Sequence, residues 1–222
     1  MNDMNIKVPV PLARPVVPVA YSDGLLRVTD LQSPISVEVE VWPAAETGYT
    51  VRLDLDGVSV TDERVITDND KPGDILTLNL MSEHLRDEGT YRLEYRTYSP
   101  NTLVEDFSPP ISLKVDRTPP GASLLAPMIF PDATFGNYLL GVLPGYAGME
   151  AGDTIQTRCN GVPGPRHVVQ PNELTVQPIE IIFDRAALQD LGTDNVSMSY
   201  TVTDRAGNES MQSVSLVMSL AL

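Results

Sequence analysis

Tyr200-Thr201-Val202-Thr203-Asp204-Arg205-Ala206-Gly207-Asn208-Glu209-Ser210 joins an alternating stretch to a turn of defined chemistry. Side chains alternate across an extended chain, so Tyr200 and Val202 face one way and Thr201 and Thr203 the other. Asp204, Gly207 and Asn208 tolerate left-handed backbone, and the spacing predicts strand, hairpin, strand.

The same period recurs upstream. Leu26 and Val28 begin a first strand. Ile35, Val37, Val39 and Val41 then alternate with Ser36, Glu38 and Glu40, which places the valines in a core and the acids in water. Tyr49, Val51, Leu53 and Leu55 alternate with Thr50, Arg52, Asp54 and Asp56, and Asp56-Gly57 signals a tight hairpin into Val58 and Val60. Leu76, Leu78 and Leu80 share a face, and a helical turn is expected near Ser82 to Leu85. Tyr91, Leu93, Tyr95 and Thr97 alternate with Arg92, Glu94 and Arg96, and Ile111, Leu113 and Val115 close the set. Laying Gly161 on Gly57 also lays Tyr146 on Trp42, Gly152 on Gly48 and Cys159 on Leu55, so the second half repeats the first.

A chain of 222 residues suits two sandwiches of about 100 residues each. With 19 Pro, 15 Gly and 6% aromatic residues it reads as all-β, rich in turns. The net charge of −15 repels phosphate backbones, so no nucleic-acid partner is expected; the acidity suits a solvated, monomeric protein. Cys159 is the sole cysteine, which excludes a disulfide within the chain and leaves packing to hold the cores. The first residues lack a basic start and an uninterrupted apolar run, so no classical signal peptide is read there. No stretch approaches the roughly 20 apolar residues of a membrane span.

Three segments resemble parts of bacterial immunoglobulin-like or fibronectin-like tandem repeats. Tyr200 to Ser210 is similar to the last hairpin of such modules. Asp87-Glu88-Gly89-Thr90-Tyr91 matches the Asp-x-Gly-x-Tyr that leads into strand F, and Asp116-Arg117-Thr118-Pro119-Pro120 matches an Asp-x-Thr-x-Pro junction. The resemblance implies two tandem β-sandwiches: a proline-rich arm at 1–20, a first module at 21–116, a short stiff linker at 117–121 and a second module at 122–222. It implies structural roles for Asp87, Gly89 and Tyr91, with the tyrosine buried and its hydroxyl bonded to backbone near Asp87. It also implies a non-enzymatic spacer or adhesion unit at the start of a longer repeat protein, at the cell surface or secreted, although cysteine usage is equally compatible with cytosol. The alternatives are a carbohydrate- or protein-binding accessory module of a secreted toxin or hydrolase, and a cytosolic interaction domain.

Chemistry is sparse. Cys159 and His167 are types that form a thiol dyad, but the repeat register points Cys159 inward, where a thiol is inert. Asp68, Asp70 and Asp116 are oxygen ligands suited to calcium; Asp68-Asn69-Asp70 lacks the spacing of a complete loop site and reads equally as turn-forming residues, so neither metal nor cofactor is expected. Trp42 contacts a sugar or protein ligand if exposed, or caps the core beneath the arm if not.

Overall fold

The alternating runs form strands in the computed structural model, which describes residues 11–131, 138–175, 177–185, 188 and 195–219. The chain divides into two units, Met1–Asp116 and Arg117–Leu222. The first contains β1 (Leu25–Leu26), β2 (Ile35–Glu40), β3 (Thr50–Leu55), β4 (Val58–Ser59), β5 (Arg64–Val65), β6 (Ile75–Leu80), β7 (Gly89–Ser99), β8 (Val104–Phe107) and β9 (Ile111–Val115). A two-stranded sheet, β2-β6, faces a larger one ordered β1-β9-β7-β3-β4, to which β5 and β8 add on β3 and β7. The second contains β10 (Tyr138–Leu143), β11 (Thr154–Cys159), β12 (Val162–Val168), β13 (Ile179–Asp184), β14 (Val196–Thr203) and β15 (Leu216–Met218). There β10-β13 faces β12-β11-β14-β15. In both units the pairing is that of an immunoglobulin-like sandwich, with strands B and E in one sheet and C, F and G in the other.

Each core is the inward half of the alternation. Val37, Val39, Leu76, Leu78 and Leu80 meet Val51, Leu53, Leu93, Tyr95 and Leu113 in the first unit. Leu139, Leu143, Ile181 and Phe183 meet Ile155, Met198, Tyr200 and Val202 in the second. Burying one such side chain is worth about 1.5–3 kcal/mol, and without disulfides this term holds each sandwich. Part of the proline-rich arm belongs to the first fold: the Val16 amide and carbonyl bond Glu38 at 2.9 and 2.8 Å, and Val17 is buried. Ile129 bridges Val142 in the same way in the second.

Two devices repeat in full. Asp56 and Gly57 take φ of 50° and 80°, Asn160 and Gly161 49° and 80°, the positive pair that a two-residue hairpin of matching twist requires. The Asp56 amide donates to the Arg92 carbonyl and its Oδ1 accepts from the Arg92 amide, both at 2.8 Å. Asn160 makes the same pair of 2.8 Å bonds with Ser197. Further along, the Tyr95 amide donates to Ser108 Oγ (3.0 Å) and the Ser108 amide to the Tyr95 carbonyl (2.9 Å); Tyr200 and Ser213 do likewise at 3.0 and 2.8 Å. Both serines precede a one-residue bulge. Leu93 pairs with Ile111 and Met198 with Leu216, so two residues on the returning strand oppose one on its partner.

Several expectations change. The chain after Asn208 does not return as a regular strand, because Ser210 brackets Val202 in the way Ser213 brackets Tyr200, and two bulges in succession postpone β15 to Leu216. Val28 lies outside β1. Asp54 and Glu94, on the polar side of their alternation, are only 1% and 4% exposed. Tyr91 donates its hydroxyl to the Asp87 carbonyl at 2.8 Å, but the bond lies at the surface and the ring is only half-buried, since it sits where β7 enters the sheet. Tyr91→Phe therefore costs less than about 1 kcal/mol, because water can replace a partner lost at the surface.

Ser108→Ala and Ser213→Ala each strand a buried tyrosine amide and are expected to lower stability by about 1–3 kcal/mol in urea unfolding. Ser36→Ala, on the solvent side of β2, should stay within about 0.5 kcal/mol. Unchanged midpoints for both core serines would show the bracket to be dispensable.

The paired tyrosines should respond oppositely to loss of their hydroxyls. Tyr200 donates to the Ala126 carbonyl at 2.9 Å, whereas the buried Tyr95 hydroxyl has no partner among the described residues. Tyr200→Phe should cost about 1 kcal/mol, and Tyr95→Phe should be neutral or stabilising because it removes a desolvated group. Equal losses in calorimetry would refute the distinction.

Candidate functional site

The thiol and imidazole do not meet. Cys159 pairs with Val162, whereas His167 pairs with Ile155, four positions along β11, or about 13 Å at the rise of a strand. His167 Nε2 instead contacts Glu173 Oε2 at 2.9 Å. Burial pushes the Cys159 thiol up to about 11, so at neutral pH it is protonated and a poor nucleophile.

The Asp-rich loop is tied to its own chain. Asp70 Oδ2 accepts from the Thr67 amide (2.7 Å) and hydroxyl (2.8 Å), and Oδ1 from Arg64 (2.8 Å). These partners, the Thr67 amide first, hold its carboxyl below the usual range. Asp68 Oδ1 accepts from Thr47 Oγ1 at 2.5 Å. Asp116 lies just beyond β9. Among the described residues no three His, Cys, Asp or Glu side chains gather into a ligand set.

Trp42 presents no face to a ligand. It is 7% exposed, in the first core, with its ring centroid 6.5 Å from that of Tyr49. It follows the buried Val41 just past β2. Among the described residues the exposed aromatics are scattered, Tyr21 before β1, Phe107 on β8 and Tyr138 on β10, and Arg27 and Arg96 sit over the first two rings.

The outward face of β3, β7 and β8 carries an ionic lattice that the sequence pattern hid. Arg52 lies opposite Arg96 and Asp54 opposite Glu94, a like-charge register that is unfavourable by itself. Diagonal contacts offset it: Arg96 meets Asp54 at 3.2 Å and Glu105 at 3.1 Å, Arg52 meets Glu63 at 2.9 Å, and Arg92 grips Glu94 with two bonds of 3.0 and 2.7 Å. Ser59 donates to Asp54 at 2.7 Å. The Arg96 and Arg92 guanidinium groups thus lie against the two buried acids, with Ser59 of β4 beside the first. Exposed pairs of this kind contribute little each, but removing Arg96 would leave Asp54 buried without its counter-ion.

The second unit buries a carboxylate without a cation among its hydrogen-bond partners. Asp153 is fully buried; its Oδ2 accepts from Tyr146 Oη (2.8 Å) and the Glu150 amide (3.0 Å), and its Oδ1 has no partner among the described residues. Burial raises its carboxyl, Asp204 and Glu150 add to the rise, and the two hydrogen bonds oppose it. Tyr146, near Glu173, is itself raised, chiefly by burial, and the Arg205 side chain lies against Gly152 next door. The sequence signal was the register itself, which lays Asp153 on Tyr49, an inward position.

A raised pKa means that the folded state holds this proton more tightly. The stabilisation is complete below the ordinary value of 3.8 and is lost as pH rises through the raised one. Asp153→Asn, which keeps an acceptor and supplies a donor, should be more stable than wild type at pH 7, with the gap closing towards pH 4. A gap independent of pH in parallel melts would contradict the burial of the charge.

No family model and no curated protein sequence matches the chain. Among solved structures it is similar to the fibronectin(III)-like modules of Clostridium thermocellum CbhA, at 12% identity and TM-score 0.46, over 93% of both chains. It is similar to a structure described for host cell surface retention of a 1.5-MDa bacterial ice-binding adhesin, at 17% identity and TM-score 0.49; the match covers 96% of this chain and 65% of that one. It is also similar to the adhesin domain of Epf from Streptococcus pyogenes, at 11% identity and TM-score 0.31, over 85% and 77% of the two chains.

Proposed function

We propose that the chain is a non-enzymatic pair of tandem immunoglobulin-like modules, at 21–116 and 122–222, joined by the 117–121 linker and acting as a structural or adhesion unit of a surface or secreted repeat protein. The observation that carries this reading is the bond-for-bond repetition of the hairpin and serine devices. Asp56/Arg92 and Tyr95/Ser108 in one unit recur as Asn160/Ser197 and Tyr200/Ser213 in the other. Two copies of one frame, each with its own core, are what a load-bearing array needs, and an array gains reach by adding modules rather than by acquiring chemistry. The separation of Cys159 from His167 and the internal partners of Asp68 and Asp70 support a role without catalysis or metal. The net charge of −15 argues against nucleic acid, and no helix among the described residues is long and apolar enough to cross a membrane. Of the binding alternatives, a protein ligand is favoured over a carbohydrate because Trp42 is buried.

Single-molecule pulling from both ends tests the reading. Two unfolding steps of similar size are expected, each releasing about 33–36 nm of chain for a module of about 100 residues, before the folded length is subtracted. One step of twice that length would show a single cooperative unit and overturn it.

A further inference from the structure

The outward face of the β10-β13 sheet is apolar where the fold does not require it. Leu139, Leu143, Ile179, Ile181 and Phe183 fill the inward face. On the other side Leu140 lies opposite Ile182, Val142 is bridged by Ile129, and Tyr138 lies opposite Asp184. Tyr138, Ile182 and Ile129 are 54%, 54% and 53% exposed, and Leu140 and Val142 are half-buried. The first unit is an internal control. Its β2-β6 sheet has the same pairing, yet it carries Ser36 opposite Asn79 and Glu38 opposite Thr77 where the second carries Leu140 opposite Ile182 and Val142 opposite Glu180. The first unit also exposes Val16 at the place of Ile129, and Ile75 opposite Glu40, but its sandwich forms with polar residues where Leu140, Val142 and Ile182 stand, so these three answer to something outside the core of the second unit.

The charge around the patch selects the occupant. Glu180 and Asp184 are exposed on its rim, and β10, β13 and the Ile129 segment contain no Lys or Arg; Arg185, the first residue past β13, is half-buried. A second copy would set these acids against their equivalents in a chain of net charge −15, a like-charge juxtaposition that suppresses self-association. We propose that this face is the docking site for a partner protein whose contact surface has an apolar centre and a basic rim. This goes beyond the spacer reading, since a module can bear load with any solvated face. The two can fail separately, because pulling reports the modules and binding reports the patch.

The test titrates the 15N-labelled full chain with a synthetic peptide of alternating Leu and Lys, a probe that offers one apolar and one basic edge. Amide shifts should centre on Leu140, Val142 and Ile182. The double variant Leu140→Ser/Ile182→Asn installs the residues of the first unit without changing net charge, and should weaken binding at least tenfold. Glu180→Gln/Asp184→Asn should weaken it and flatten its salt dependence. If the double variant loses its folded spectrum, Ile129→Thr, outside the β10-β13 pair, reads the same patch. Equal affinity of wild type and charge-matched variant would reduce the binding to bulk electrostatics and overturn the proposal. So would shifts elsewhere, no binding, equal binding of an alternating Leu and Glu peptide, or a dimer in sedimentation that the double variant abolishes.

Discussion

The paired bonds between a buried tyrosine backbone and a serine thirteen residues later are the constraint on which each sandwich depends. A returning strand that stayed in register would satisfy the tyrosine amide with a main-chain carbonyl. Here the strand bulges, and the serine hydroxyl takes the carbonyl's place, so the central strand loses no hydrogen bond while its neighbour bends. In the first unit Pro109 and Pro110 come next, and they have no amide to leave stranded. In the second the Val214 amide goes to the Leu125 carbonyl instead, so the same bulge hands the chain to a different partner. The bend is fixed by one hydroxyl, and the residues after it are free to differ.

This bracket also sets how far the sequence could be read. Alternation located β2 and β6 because each has one wet side and one dry side, and it located β3 and the β7 core face because their inward residues are apolar and their outward ones polar. Asp56-Gly57 was legible because its backbone sign is dictated by residue type. The return after Asn208 was not, because Ser210 and Ser213 look like solvent-facing residues until their hydroxyls are seen replacing carbonyls. The burial of Asp54 and Glu94 was not legible for a related reason. Period two says which face a side chain takes, but only the neighbouring strands decide whether that face is covered, and the Arg96 and Arg92 guanidinium groups lie against it here. The repeat register carried Cys159 to an inward place that the structure shares. The same register laid Tyr146 on Trp42 without revealing that Tyr49 holds the tryptophan and Asp153 the tyrosine.

That last pair shows one position solved in two ways. In the first unit Trp42 packs against Tyr49, ring to ring. In the second Tyr146 and Asp153 stand at the matching places, and a phenol-carboxylate hydrogen bond of 2.8 Å replaces the aromatic contact. An aromatic pair gains by burial at any pH. A buried carboxylate with one empty oxygen gains only what its donors return, and its cost depends on charge state. The two modules therefore share a frame but differ in the response of their cores to acid, a difference that the overall charge of the chain does not foretell.

The outward faces diverge further than the cores. On β3 and β7 the first unit sets Arg52, Asp54, Glu94 and Arg96; the matching residues on β11 and β14 are Gln156, Arg158, Ser199 and Thr201, and no ionic lattice can form from them. On the opposite sheet the change runs the other way, from Ser36 and Glu38 to Leu140 and Val142. Neither exchange touches a residue that the hairpin or serine devices use. Once bends and turns are fixed by a few bonded polar groups and the inward alternation is filled, the outward residues can be set differently in each module, provided that any charge the face buries, as at Asp54 and Glu94, keeps its counter-ion. A single frame can in this way hold one module that is charged on its larger sheet and another that is apolar on its smaller one. In a chain built from repeats of one fold, the outward faces can therefore differ from copy to copy while the frame stays the same.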